Sequence, residues 1–208
     1  MKNFENELIY FADPMCSWCW GFSPIINKIT SKIRKRVGVR YIMGGLRPYT
    51  KKIMTSELRE YIIGHWHNVY KKSGQNIDFG FKIGEGFVYD TEPPSRAVVT
   101  VREINKDLEF KVLSEIQKSF YVDIQDITKC SVLADIVANF GIEKALFLEL
   151  FNSDELKALT KKDFNSSQAF GVRSFPTLIS RVGKKLEVVC EGYQSFQNLE
   201  SKLKSFIN

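Results

Sequence analysis

The chain contains no apolar run near the roughly 20 residues that a membrane-spanning helix needs, so no membrane partner is expected. Histidine and cysteine are scarce, at two and four residues. A structural zinc site would need a second close pair of Cys or His beside the first. Cys130 and Cys190 stand alone, and His65 and His67 have the wrong spacing, so no metal is expected. No internal repeat, low-complexity tract or flexible linker interrupts the region from about residue 50 to 165. The segment Met1-Lys2-Asn3-Phe4-Glu5-Asn6-Glu7 lacks the basic start of a signal peptide and leads directly into an apolar stretch, which predicts a cytoplasmic protein. Positive charge lacks a focus too. The net +6 is spread as the pairs Lys51-Lys52, Lys71-Lys72, Lys161-Lys162 and Lys184-Lys185. The one run of three, Arg34-Lys35-Arg36, falls at the expected end of a helix, where cations complement the macrodipole. A nucleic-acid surface would need basic residues clustered with aromatics, and no such partner is expected.

What is present suits one domain, or one domain with a large insertion: 208 residues, 44% hydrophobic and 26% charged. The most informative feature is Cys16-Ser17-Trp18-Cys19. It follows an apolar run (Leu8-Ile9-Tyr10-Phe11-Ala12) that reads as a buried strand, and it opens an amphipathic segment. Thiols at i and i+3 in a first helical turn share one side, close enough to form a small disulfide ring, and the positive end of the helix favours a thiolate at the first. Strand, Cys-x-x-Cys, helix is the layout of a redox site. In reducing cytosol such a pair is a working couple rather than a structural bridge.

Hydrophobic periodicity predicts strands over 7–12 and 39–43 around a helix over 16–37 with the stripe Cys19, Phe22, Ile26, Ile29 and Ile33. Pro24 is expected to kink that helix. A helix over 56–72 places Leu58, Tyr61, Ile62, Trp66, Val69 and Tyr70 on one side. Further helices are predicted from Glu92-Pro93-Pro94-Ser95 and near 108–121, 130–140, 143–151 and 154–169. Strands over 177–182 and 186–191 flank Gly183-Lys184-Lys185 as a hairpin, before a last helix with Phe196, Leu199, Leu203 and Phe206 on one face. The order predicts an α/β thioredoxin fold with a large all-helical domain inserted between its β-α-β and β-β-α halves. The parts are 1–50, 51–165 and 166–208, and the insert is expected to carry its own core.

Exposure decides which cysteine attacks a disulfide. Cys16, at the helix start, is expected at the mouth of the site as the nucleophile, and Cys19, one turn inward, as the resolving thiol. Asp13 would oppose thiolate formation if its charge faced the pair. Gly171-Val172-Arg173-Ser174-Phe175-Pro176-Thr177 places a proline at the head of a strand, a position for an edge or a special turn. In a thioredoxin fold this proline is cis and lies beside the cysteines, leaving the Phe175 backbone free to pair with an extended substrate. Trp18 is read as a hydrophobic rim for substrate. Cys130 (with Leu133, Ala134 and Val137), Cys190 (alternating with Leu186 and Val188) and His65 read as core, as do Phe79, Phe81 and Phe87. His67 reads as exposed.

Four segments carry a family resemblance: Asp13 to Phe22, reading Asp13-Pro14-Met15-Cys16-Ser17-Trp18-Cys19-Trp20-Gly21-Phe22; Gly44-Gly45-Leu46-Arg47-Pro48; Ser119-Phe120-Tyr121-Val122-Asp123; and the Pro176 loop. The chain resembles the DsbA family of thioredoxin-like proteins, and within it the FrnE-like branch of dithiol-disulfide isomerases. The resemblance implies a redox pair at Cys16 and Cys19 and a cis proline at Pro176; the residues themselves predict substrate contacts at Phe175, Pro176 and Trp18, and no cofactor is expected. Implied partners are protein or peptide thiols and disulfides, with glutathione or a thioredoxin-type protein for recycling. Two rival readings are a kappa-type glutathione transferase or hydroxychromene-carboxylate isomerase, which typically has serine where Cys16 stands, and a non-catalytic peptide-binding holdase.

Overall fold

The computed structural model describes residues 6–33, 36–84 and 86–204. Strand β1 (Asn6–Ala12) is central. It pairs parallel with β2 (Gly38–Met43) and antiparallel with β3 (Thr177–Val182), and β4 (Lys185–Glu191) closes the order β2-β1-β3-β4. Both faces of β1 are covered, which is why its sequence is continuously apolar rather than alternating. Leu8, Tyr10 and Ala12 face the core on one side. Ile9 and Phe11 pack with Ile42 and Ile179 on the other, under Phe170, Val172 and Phe175.

Helix α1 (Ser17–Ile33) lies on the first face and buries the predicted stripe, Cys19, Phe22, Ile26, Ile29 and Ile33. It runs through the exposed Pro24 and is described as far as Ile33; Arg36 and Val37 lie in a turn outside it, so it falls short of the predicted residue 37. Arg34, Lys35 and Phe206 lie outside the described residues.

Between β2 and β3 the chain builds α2 (Ser56–Ser73), α3 (Glu92–Ile104), α4 (Glu109–Tyr121), α5 (Cys130–Ala138), α6 (Lys144–Asn152) and α7 (Asp154–Ala169). Local signals set several ends. The Thr55 side chain accepts the Leu58 amide, Ser153 accepts that of Leu156, and Gly74 closes α2 at φ 70°. A short α8 (Phe196–Glu200) follows β4.

The helical insert does not keep a separate core. One apolar cluster runs from Leu8 and Phe22 through Trp66, Phe81 and Phe120 to Val98, Leu133 and Phe147. The joint is aromatic: Trp66 meets Phe81 at 4.7 Å and Tyr121 at 5.0 Å between ring centroids, and Trp20 of α1 stacks on Tyr121 at 6.2 Å. A second tie is polar. Arg102 of α3 holds Asp163 of α7 through two hydrogen bonds of 3.0 and 3.1 Å and donates to the Tyr41 carbonyl at 3.2 Å, while Asp163 accepts the Met43 amide at 2.9 Å. These bonds satisfy part of the open edge of β2. Glu109 joins Arg102 at 3.3 Å, and burial pushes its carboxyl up to about 8.

Cys130 and the hairpin depart from expectation in part, while Cys190 is buried as expected. Leu178 pairs with Cys190 but Ile179 with Val188, so Val189 is an extra residue in the ladder. Val189 and Cys190 are therefore both buried, and Leu186 and Val188 are exposed rather than in the core. Cys130 is exposed, not buried. It is the first residue of α5, where the stripe it shares with Leu133 and Val137 runs out past the packed neighbours. Cys130 and Cys190 thus stand in different environments, one on a helix surface and one inside the sheet layer.

Candidate active site

β1 ends in a tight turn. The Cys16 amide donates to the Asp13 carbonyl at 3.1 Å, and the Met15 amide to Asp13 Oδ1 at 2.9 Å. The Cys16 carbonyl then accepts the Trp20 amide at 3.1 Å, so Cys16 flanks the first turn of α1. Cys19 lies one turn inside and is fully buried, whereas Cys16 is 6% exposed. Burial, then the neighbouring Cys16 thiol, hold the Cys19 thiol well above the usual thiol range. Tyr10, also fully buried, lies on the strand beneath, where burial and then the nearby cysteines raise its hydroxyl well above the usual range.

Loop 171–177 meets the cysteines from the other half of the chain. The Cys16 thiol donates to the Phe175 carbonyl at 3.5 Å, and the Phe175–Pro176 peptide bond is cis. The Pro176 carbonyl accepts the Gly192 amide at 2.8 Å, and the Thr177 hydroxyl donates to the Ser174 carbonyl at 2.8 Å. The Phe175 ring sits directly over Gly44, where a Cβ would lie 2.1 Å from it.

Asp13 braces the turn against the loop after β2. Its carboxylate accepts the Leu46 amide at 2.7 Å, and nearby Thr91 accepts the Arg47 amide at 3.1 Å. Asp13 is fully buried, and burial lifts its carboxyl to about 6 despite those donors. Its charge faces Cys19 and opposes ionisation there, though less than burial does. Tyr89 completes the brace by donating its hydroxyl to the Met15 carbonyl.

Cys16 forms part of the floor of a pocket of about 330 Å³, deeper than the mouth position expected of it. The walls include Trp18, Arg47, Tyr61, His65, Tyr89 and Arg173. A more open groove of about 660 Å³ adjoins it, with Tyr193, Lys71, Lys72 and Glu191 along its sides. Trp18, Ser174 and Phe175 line both. Trp18 is half-buried against Tyr193, while Trp20 is buried and donates its indole N–H to the Asn76 carbonyl at 2.8 Å. The two tryptophans thus separate into a cleft residue and a core residue. Phe81 and Phe87 are core and Phe79 is half-buried.

His65 is a correction. It is exposed on the pocket wall, 4.5 Å from the Tyr61 ring, because α2 buries only the narrow stripe Ile62, Trp66 and Val69. His67 is exposed and stacks on Phe79 at 4.0 Å. Sequence reasoning missed Tyr10, Arg47, Tyr89, Arg173 and Tyr193 as site residues. Arg47 and Arg173 were within reach, since each sits inside a Gly- and Pro-bearing segment that carried the family resemblance. Among the described residues no group of three or more His, Cys, Asp or Glu is placed to hold a metal ion. No helix among them is long and apolar enough to cross a membrane.

A family model described as thioredoxin matches residues 10–200. Among solved structures, a proposed protein disulfide isomerase from Nitrosomonas europaea is 35% identical, with a TM-score of 0.90 and 97% of each chain covered. The cytosolic disulfide reductase DsbM from Pseudomonas aeruginosa is 23% identical at a TM-score of 0.77, covering 96% of this chain and 97% of that one. The ClpXP adapter protein SpxH of Bacillus subtilis is 24% identical over 182 residues, 83% of this chain and 57% of the relative. The chain thus spans under three-fifths of the length of the curated relatives it matches. With the family model covering most of its length, the chain belongs to the thioredoxin family, and DsbA-like structures follow nearly all of its fold.

Proposed function

We propose that the protein is a thiol–disulfide oxidoreductase that acts on protein or peptide disulfides in the cytosol through Cys16 and Cys19. One observation carries this reading: a pocket-facing sulfur at a helix start has a fully buried thiol one turn inside it. The Cys16 thiolate attacks one sulfur of the substrate disulfide, forming a mixed disulfide and releasing the first substrate thiolate. Cys19, held protonated by burial, then gives up its proton and attacks Cys16 Sγ. The second substrate sulfur leaves as a thiolate and takes a proton. The substrate gains two electrons, and the protein is left with a Cys16–Cys19 disulfide for an external thiol to reduce. The Phe175 backbone, with Pro176 behind it, orients the substrate strand, and Trp18 supplies apolar contact. A DsbM structure that contains GSH supports glutathione as the recycling thiol, and the description of DsbM as cytosolic supports the cytosolic setting. Isomerisation follows the same first step, with the mixed disulfide resolved by another thiol of the substrate.

Reduction of a model protein disulfide tests the reading. Cys16→Ser is expected to abolish turnover, and Cys19→Ser to accumulate a trapped mixed disulfide visible by mass spectrometry. Full activity in both variants overturns the proposal. Turnover of a small electrophile with glutathione that survives Cys19→Ser would favour the transferase reading instead. The similarity to SpxH gives one specific reason to weigh a binding role. Capture of a client protein by a variant lacking both thiols would support it.

A further inference from the structure

We propose that the cleft selects disulfides in protein segments that carry an acidic side chain next to the reacting cysteine, with the carboxylate received by Arg47 and Arg173. This rests on the redox reading above and adds the substrate's chemistry. Three separate elements bring a basic side chain to the Cys16 pocket: the loop after β2 with Arg47, α2 with His65, and the loop after α7 with Arg173. Among the described residues no Asp or Glu lines that pocket. Arg40, Arg96, Arg102 and Arg181 each hold a carboxylate within the fold. Among the described residues neither Arg47 nor Arg173 has one within 4 Å, so both guanidinium groups are left for a ligand.

Position makes those groups hard for a substrate to avoid. Cys16 lies at the floor, so a substrate must bring the residues flanking its disulfide down between these walls. Arg47 is half-buried with its guanidinium 5.6 Å from the Tyr89 ring centroid, which limits the orientations of a group suited to a carboxylate fork. Trp18, Ser174 and Phe175 form the saddle shared with the adjoining groove. A chain crossing the saddle therefore sends one flank to the arginines and the other over Trp18 and Tyr193, past Lys71 and Lys72. Among the described residues the single acid on that side is Glu191. Arginine paired with carboxylate in such a cleft supplies both attraction and register.

Stopped-flow kinetics with cystine-bearing peptides that differ only beside the reacting cysteine test this, with Glu, Gln or Lys at that place and the change made on either flank. The reduced wild-type protein is expected to react about 10-fold faster with the Glu peptide than with the Lys peptide at low ionic strength, and the ratio to shrink in about 0.5 M salt. Arg47→Glu with Arg173→Glu is expected to reverse the order, and Arg47→Gln with Arg173→Gln to erase it. The ratio within one protein cancels any change in the reactivity of the Cys16 sulfur, and a neutral alkylating agent reports that reactivity separately. A wild-type ratio near one, or a ratio unchanged by the substitutions, overturns the selectivity and leaves the redox reading standing. Charge dependence with glutathione disulfide alone overturns the protein-segment occupant. Rates no greater than those of Cys16→Ser with every peptide would sink the redox reading and this proposal together.

Discussion

Gly44 and Phe175 meet across the two halves of the chain so closely that a methyl group on Gly44 would lie 2.1 Å from the phenyl ring. The ring belongs to the residue whose carbonyl accepts from the Cys16 thiol, so room at Gly44 sets where that carbonyl sits. Gly44→Ala is expected to push the loop away from Cys16, lowering kcat/KM for disulfide reduction about 10-fold. Overpacking should cost about 1–3 kcal/mol of stability. Peptide-disulfide kinetics and thermal melts on the same variant check both.

Asp13 makes stability depend on pH. The folded protein binds its proton more tightly than the unfolded chain does, because burial raises the carboxyl from 3.8 to about 6. Stability therefore falls as pH rises through that window, by up to about 3 kcal/mol, and this contribution is flat above it. Asp13→Asn removes the titration, so its stability difference between about pH 4 and 7 is expected to shrink by that order. Urea unfolding across the range provides the measurement. An unchanged slope would show that another group governs the window.

The clamp on β2 is a charge pair held mostly out of water. Asp163→Ala leaves Arg102 with only Glu109 and Glu103 nearby and leaves the Met43 amide without its acceptor. A loss of about 3–5 kcal/mol is expected, read as a lowered denaturant midpoint, with faster hydrogen exchange at Met43.

The two remaining cysteines should part company under alkylation. Cys130 is exposed and is expected to label in the native protein; Cys190 is buried and should label only on unfolding. Cys130→Ser is expected to change stability by less than about 0.5 kcal/mol, with disulfide reduction intact. Mass spectrometry after brief labelling separates the sites.

Much of the frame was legible because it is written locally. The uninterrupted apolar run of β1 announces a strand covered on both sides, and the Cys19-to-Ile33 stripe marks one face of α1. Cys16 and Cys19 appear at the junction of the two, where strand-to-helix geometry can be read off spacing alone. What escaped depends on partners distant in sequence. His65 shares its helix side with Trp66, but the width of the buried stripe is set by what α2 packs on. The extra Val189 breaks an alternation that Leu186, Val188 and Cys190 suggested, because a bulge belongs to a pair of strands rather than to one. The insert's core looked separate because periodicity shows which face of a helix is apolar and not which neighbour covers it. Arg47 and Arg173 become one feature only when loops from opposite ends of the chain come together.

Because Trp66, Tyr121 and Trp20 weld the helices to the sheet without a seam, heating should melt the molecule in a single calorimetric transition, with no surviving helical fragment. The same weld ties the wall of the candidate cleft to the most protected interior, so loosening α2 and freeing the Cys16 sulfur from its surroundings would be one event.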